Sequence, residues 1–273
     1  VNVTTNGGSG ASDFVLFFLD SCGAASCSFN TDSAPERGTI LNTGAAPITR
    51  IVGVRSYSST TPSLAQIAFA FSSLPYTFAP ISAACVDVSG GTAIANVTAD
   101  DSASARIALP FAFDYFGAPV THYSVSSNGM MQLWPSDMGT PSSEWSNVAI
   151  PSTSLPNGYV APFWDDLRPN AGANAVLLVE GSAGSRRMIV QWTNWRAENT
   201  ADAQQLTFQA HLVEGSDVIE YHYCSMTGAA GQLHTGSSAT IGVENLTGSE
   251  GISISFNTAA AVSTGSGFRL TPP

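Results

Sequence analysis

Apolar residues along the chain come in short runs, broken by clusters of Gly, Pro, Asn, Asp and Ser. Helical spacing is almost absent, and runs of this length between turn-forming clusters are the signature of an all-β protein. Strands are expected at residues 14–19, 48–57, 65–71, 92–97, 105–113, 122–126, 130–134, 159–163, 175–180, 187–195, 205–213, 218–223, 238–243, 252–256 and 267–270. Because side chains alternate along a strand, Met188, Val190 and Trp192 share one face, and Arg187, Gln191 and Thr193 the other. So many strands predict an antiparallel β-sandwich, jelly-roll-like, with a smaller N-terminal β region before it. The pattern becomes denser after Cys85–Gly91, which places the boundary between a region 1–89 and a sandwich 90–273.

Two hairpins can be drawn in register. Ser127-Asn128-Gly129 between apolar segments reads as a tight turn. If Glu214–Asp217 form a loop, Val213 pairs with Val218, His211 with Glu220 and Gln209 with His222. Phe208, Ala210, Leu212, Ile219, Tyr221 and Tyr223 then form the apolar face. His211, Glu220 and His222 lie on the opposite face, as a zinc-type donor set or simply as the solvent side.

Phe14-Val15-Leu16-Phe17-Phe18-Leu19 is apolar on both faces, so both must be covered. It follows a Gly-rich start. It reads either as a central strand of its own sheet or, with its flanks (13–20), as a strand donated to the next copy by β-strand addition. A donation that does not close gives a filament. The chain holds 9 basic and 20 acidic residues, a net charge of −11, and all the basic ones are arginine. No basic stripe exists for nucleic acid, and lysine, a common guard of strand edges, is missing. No apolar run is long enough to span a bilayer as a helix.

The start at Val1 is read as a mature, exported chain, a trimmed form being equally compatible. Four cysteines without a C-x-x-C pair suit an oxidising compartment better than zinc. Three pairings exist; Cys22–Cys27 with Cys85–Cys224 is favoured over four buried thiols.

Leu109–Gly117, Val125–Gly129, Ala161–Leu167, Val190-Gln191-Trp192, Thr207-Phe208-Gln209 and Gly242–Asn245 occur in that order. Together they resemble a β-rich module of secreted bacterial proteins, distantly similar to the nidogen extracellular domain, over about residues 90–273. The resemblance implies an extracellular, non-catalytic module and supplies neither ligand nor catalytic residue. The motifs of serine hydrolases, zinc proteases, P-loop enzymes and dinucleotide binders do not occur, so no residue is assigned a catalytic role and no enzyme is expected.

Asp100-Asp101 and Asp165-Asp166 sit in turn-like stretches and form the candidate site for a structural calcium, the one cofactor considered; a nearby Arg168 is the competing partner. Trp134, Trp145, Trp164, Trp192 and Trp195 are candidate sugar platforms if exposed. Asn2, Asn96 and Asn245 stand in N-x-S/T contexts. The expectation is therefore an extracellular or cell-surface structural or adhesive protein, self-associating as a homopolymer or binding a surface partner. The alternative is a carbohydrate- or calcium-dependent binding module accessory to a secreted enzyme.

Overall fold

A computed structural model describes residues 2–7, 14–19, 29–31, 37–40, 48–56, 65–70, 76–198, 204–228 and 233–272. Cys22 and Cys27 lie outside them. The chain divides into two units, 1–73 and 74–273.

The first unit contains β1 (Asn2–Gly7), β2 (Phe14–Leu19), β3 (Phe29–Thr31), β4 (Arg37–Thr39), β5 (Ile51–Ser56) and β6 (Ala65–Ala70). They form two three-stranded antiparallel sheets, ordered β4-β1-β6 and β3-β2-β5. The apolar segment 14–19 is thus a central strand. Leu16 pairs with Thr31 on one side and Val54 on the other. Leu16 and Phe18 are buried against Ile40, Val52 and Val54. Of the two readings of this segment, the central strand is the one seen within the chain: both hydrogen-bonding edges of 14–19 are filled by its own neighbours. At the start of the chain, residues 2–7 form strand β1, central between β4 and β6.

The second unit contains β7 (Thr77–Ser82), β8 (Thr92–Ala93), β9 (Ile107–Tyr115), β10 (Ala118–Val125), β11 (Met131–Trp134), β12 (Tyr159–Trp164), β13 (Leu167–Glu180), β14 (Arg187–Ala197), β15 (Gln205–Val213), β16 (Val218–Thr227), β17 (Thr240–Glu244), β18 (Gly251–Phe256) and β19 (Ser266–Thr271). Two antiparallel sheets result, ordered β18-β17-β12-β11-β10-β9 and β7-β19-β16-β15-β14-β13-β8. The boundary expected at 89/90 therefore lies earlier, at 73/74. β7 had no readable pattern because it is an edge strand carrying Pro80 and is mostly exposed, yet it pairs along its length with β19.

One core fills the space between these sheets. It joins Phe113, Val120, Tyr123, Met131, Val160 and Phe163 of one sheet to Met188, Val190, Trp192, Phe208, Leu212 and Ile219 of the other. Polar tips of core aromatics fasten the sheets. Tyr221 Oη donates to Gly242 O at 2.6 Å, Tyr223 Oη to Pro162 O at 2.8 Å and Trp192 Nε1 to Ser126 O at 2.8 Å. Such groups are tolerated in a core because each finds an acceptor. Pro162 sits at a bulge in β12, between Ala161 and Trp164, where a ladder donor is not needed.

The 214–217 hairpin has the expected register, with His211 opposite Glu220 and Gln209 opposite His222. The Asn-Gly turn joins β10 to β11, but only Gly129 has positive φ, at 74°. Glycine is required there for a second reason. A Cβ would stand 2.0 Å from the Phe163 carbonyl oxygen, so β12 could not approach.

Candidate functional site

Three of the four predicted aspartates converge. Asp100, Asp101 and Asp166 place carboxylate oxygens within 4.8 Å of one another at the surface. Asn128, fully buried in the Asn-Gly turn, organises them. Its Nδ2 donates to Asp101 Oδ1 at 3.0 Å and to Ser143 O at 2.8 Å, and its Oδ1 accepts from Leu167 N at 2.9 Å. Arg168 spans Asp100 at 2.9 Å and Glu198 at 2.7 Å. Arg168 thus pairs with one carboxylate of the cluster and with Glu198 beside it. Burial raises the Asp166 pKa first, and Asp101, Glu198 and Asp100 raise it further, against Arg168.

Asp165 does not join them. Neighbouring side chains leave an extended chain in opposite directions, and Asp165 turns inward. Its Oδ2 accepts from Ser238 Oγ at 2.5 Å and its Oδ1 from Asp166 N at 2.9 Å. Burial pushes its pKa up to about 6, against those hydrogen bonds. Three surface carboxylates are oxygen donors of the kind calcium takes. Arg168 already engages one of them.

Beside this cluster lies a cleft of about 470 Å³, whose lining includes Asp101, Gln132, Glu144, Trp145, Leu155 and Pro156. Its lip is the loop between β11 and β12. Several contacts hold that loop: among them, Gln132 Oε1 accepts from Ser142 N at 2.7 Å, Asn128 reaches Ser143 O, the buried Trp164 Nε1 donates to Glu144 O at 2.8 Å, Asn147 Nδ2 donates to Thr240 Oγ1 at 3.0 Å, and Arg106 reaches Gly139 O. Trp145 stands on this braced loop with 53% of its surface exposed. Of the other tryptophans, Trp164, Trp192 and Trp195 are fully buried and Trp134 is partly buried.

The expected disulfide Cys85–Cys224 is formed, joining residues 139 apart in sequence. It fastens a strap, residues 83–88, over the hairpin face that sequence placed in solvent as one option. His211, Glu220 and His222 are accordingly buried. Ala84 N donates to His222 Nδ1 at 3.1 Å and Val86 N to Gln209 Oε1 at 3.1 Å, while Gln209 Nε2 donates to Val86 O at 2.7 Å. The sequence carried a signal for the strap only in Cys85.

His211, Glu220 and His222 bring their ligand atoms within 4.8 Å of one another, and this network bears on whether they suit a metal. Gln209 Oε1 can only accept, so His211 Nε2, 2.9 Å away, carries the proton and leaves Nδ1 as a lone pair. His222 Nδ1 accepts from Ala84, so in the neutral ring its Nε2 is N–H and offers a cation nothing. Glu220 meets Arg269 Nη1 at 2.5 Å and Arg187 Nη2 at 3.5 Å. Hydrogen bonding from His222, with Arg187 and Arg269 nearby, lowers its pKa to about 2 despite burial. A carboxylate already matched by two guanidiniums, with one usable ring nitrogen, does not fit zinc. Burial, with His222 and Arg187, lowers the His211 pKa to about 3.

Glu244, within one of the recognised phrases, had no assigned role. It is fully buried, with Oε2 accepting from Ser152 N at 2.6 Å. Burial pushes its pKa up to about 7.

A family model described as NIDO related matches residues 75–270. No curated protein and no solved structure matches the chain.

Proposed function

The chain belongs to the NIDO-related family, and from that premise we propose that it is an extracellular structural or adhesive protein that works through its β-surfaces and not by turnover. The observation that carries the reading is the Cys85–Cys224 bridge and what it covers. Disulfides persist in oxidising compartments. The bridge also sinks His211, His222 and Glu220, the side chains best suited to proton transfer, into a network of ion pairs and amide bonds. No helix among the described residues is long and apolar enough to cross a membrane.

Self-association belongs to this reading in the form the first unit allows. Phe14–Leu19 already has neighbours on both edges, so joining copies through it requires the strand to exchange between chains. Sedimentation and negative-stain microscopy of the purified chain test this. Oligomers or filaments that disappear when Leu16 and Phe18 are replaced by polar residues support it. A monomer at all concentrations removes self-assembly. Failure to bind cell-envelope material as well would remove adhesion.

A second reading, a binding module, is favoured by the cleft at Trp145 beside the Asp100–Asp101–Asp166 cluster. Calcium is its proposed cofactor.

A further inference from the structure

We infer that the cleft under Trp145 is a binding site for a neutral polysaccharide, with the indole as stacking platform and the carboxylates of Asp101 and Glu144 as hydroxyl acceptors; this rests on the binding-module reading.

The first support is the exposed ring itself. A tryptophan left half in water on a soluble protein needs a reason, and here the backbone beneath it is fixed. The Trp164 indole pins the carbonyl of Glu144, the residue next to Trp145, and Ser146 N donates to Glu144 Oε1 at 2.9 Å. Asn147, on the other side, is tied to Thr240 and to Asn257 Oδ1 at 2.9 Å. Glu144, Ser146 and Asn147 are thus anchored on either side of the indole, which is presented outward. Rigid presentation lowers the ordering cost of binding.

The second support is the polar lining. Asp101 commits Oδ1 to Asn128, and Glu144 commits Oε1 to Ser146. Among the described residues no hydrogen bond reaches Asp101 Oδ2 or Glu144 Oε2, so each carboxylate keeps an acceptor oxygen. Their framework bonds fix their orientation. Among the described residues no cationic side chain lines the cleft. With no cation bound at the neighbouring aspartates, that sign disfavours sulfated and uronic polymers, whose charge would meet two carboxylates. A flat indole matches the C–H face of a pyranose ring, and carboxylates accept paired hydroxyls. The volume lies in the range of ligand clefts. A cationic ligand shares part of this chemistry, but a cage for it needs several rings around the charge, and Trp145 is the one ring here.

Affinity electrophoresis of the full chain tests the site with galactomannan, xyloglucan and a mixed-linkage β-glucan, with polygalacturonate and polyarginine as charged controls. Retardation by at least one neutral polymer is expected. Trp145→Ala should weaken it by about tenfold or more, Trp145→Phe should retain part of it, and Asp101→Asn and Glu144→Gln should each weaken it. Tryptophan emission should shift on binding, since the other indoles are more buried. Trp145→Ala removes an exposed ring, so its melting temperature should match the parent and folding is not in question. No retardation by any neutral polymer, retention unchanged in Trp145→Ala, or binding to polyarginine alone would overturn the proposal. Any of these leaves the adhesive reading standing, because that is judged by self-association and envelope binding, in which Trp145 has no assigned part.

Discussion

Removing the Cys85–Cys224 bridge gives the sharpest test of how the sandwich is held. The paired substitution Cys85→Ser, Cys224→Ser changes two atoms and leaves Cys22 and Cys27 untouched. The bridge closes a loop of 139 residues. Restricting the unfolded chain over that length is worth about 5 kcal/mol in the chain-entropy description. For a unit of about 200 residues each kcal/mol moves the melting temperature by roughly 2–4 °C, so a fall of about 10–20 °C is expected. The effect should also be local. The Ala84 and Val86 amides each donate one hydrogen bond, to His222 and Gln209, and should lose exchange protection before the β15–β16 ladder does. Calorimetry gives the first quantity and hydrogen exchange the second. A loss under about 1 kcal/mol, with strap protection intact, would refute the view that the bridge holds the strap and would leave the Gln209 contacts as the main fastening.

Four further outcomes follow from the geometry. Gly129→Ala should cost more than about 3 kcal/mol, because it combines positive φ with a 2.0 Å approach to Phe163 O; urea unfolding at near-parental stability would contradict the assigned strand approach. Asn128→Asp should cost about 2–4 kcal/mol, since it removes both amide donors and sets a charge beside Asp101, and chemical denaturation reads the loss. Glu244, at about 7, binds its proton more tightly folded than unfolded. Its ionisation therefore destabilises the fold as pH rises from about 4.5 to 7, and Glu244→Gln should gain on the parent across that window; a constant difference would place the carboxylate in water. Millimolar calcium should raise the melting temperature relative to a chelator, because Asp100, Asp101 and Asp166 converge and Arg168 pairs with one of them, and Asp166→Asn should reduce the response; identical melts would end the calcium reading.

What could be read from the chain followed the physics that acts between near neighbours. The face Phe208, Ala210, Leu212, Ile219, Tyr221, Tyr223 was legible because alternation and a four-residue loop fix register, and all six are buried. The opposite face was ambiguous for the same reason. Alternation says which side a residue is on, not what covers it, and the cover is a strap brought in from more than a hundred residues away. Asp165 shows the same limit within two residues: an Asp-Asp pair reads as one acidic site until the backbone sends one carboxylate to Ser238 and the other to the surface. The domain boundary fell too late because β7, exposed and holding a proline, carries no apolar pattern, although it completes a sheet edge through backbone pairing alone. Asn128 joins these cases. Its letter suggested only a turn, and in the structure only Gly129 supplies the positive φ. The amide is instead spent on Asp101, Ser143 and Leu167, which lie on three separate segments of the chain. The residue that organises the candidate site is therefore legible by composition as a turn former, while its task depends on contacts with segments 15 to 39 residues away in sequence. Sites of this kind are found by asking which buried amide has its whole hydrogen-bonding capacity committed to loops, and then looking at what those loops present.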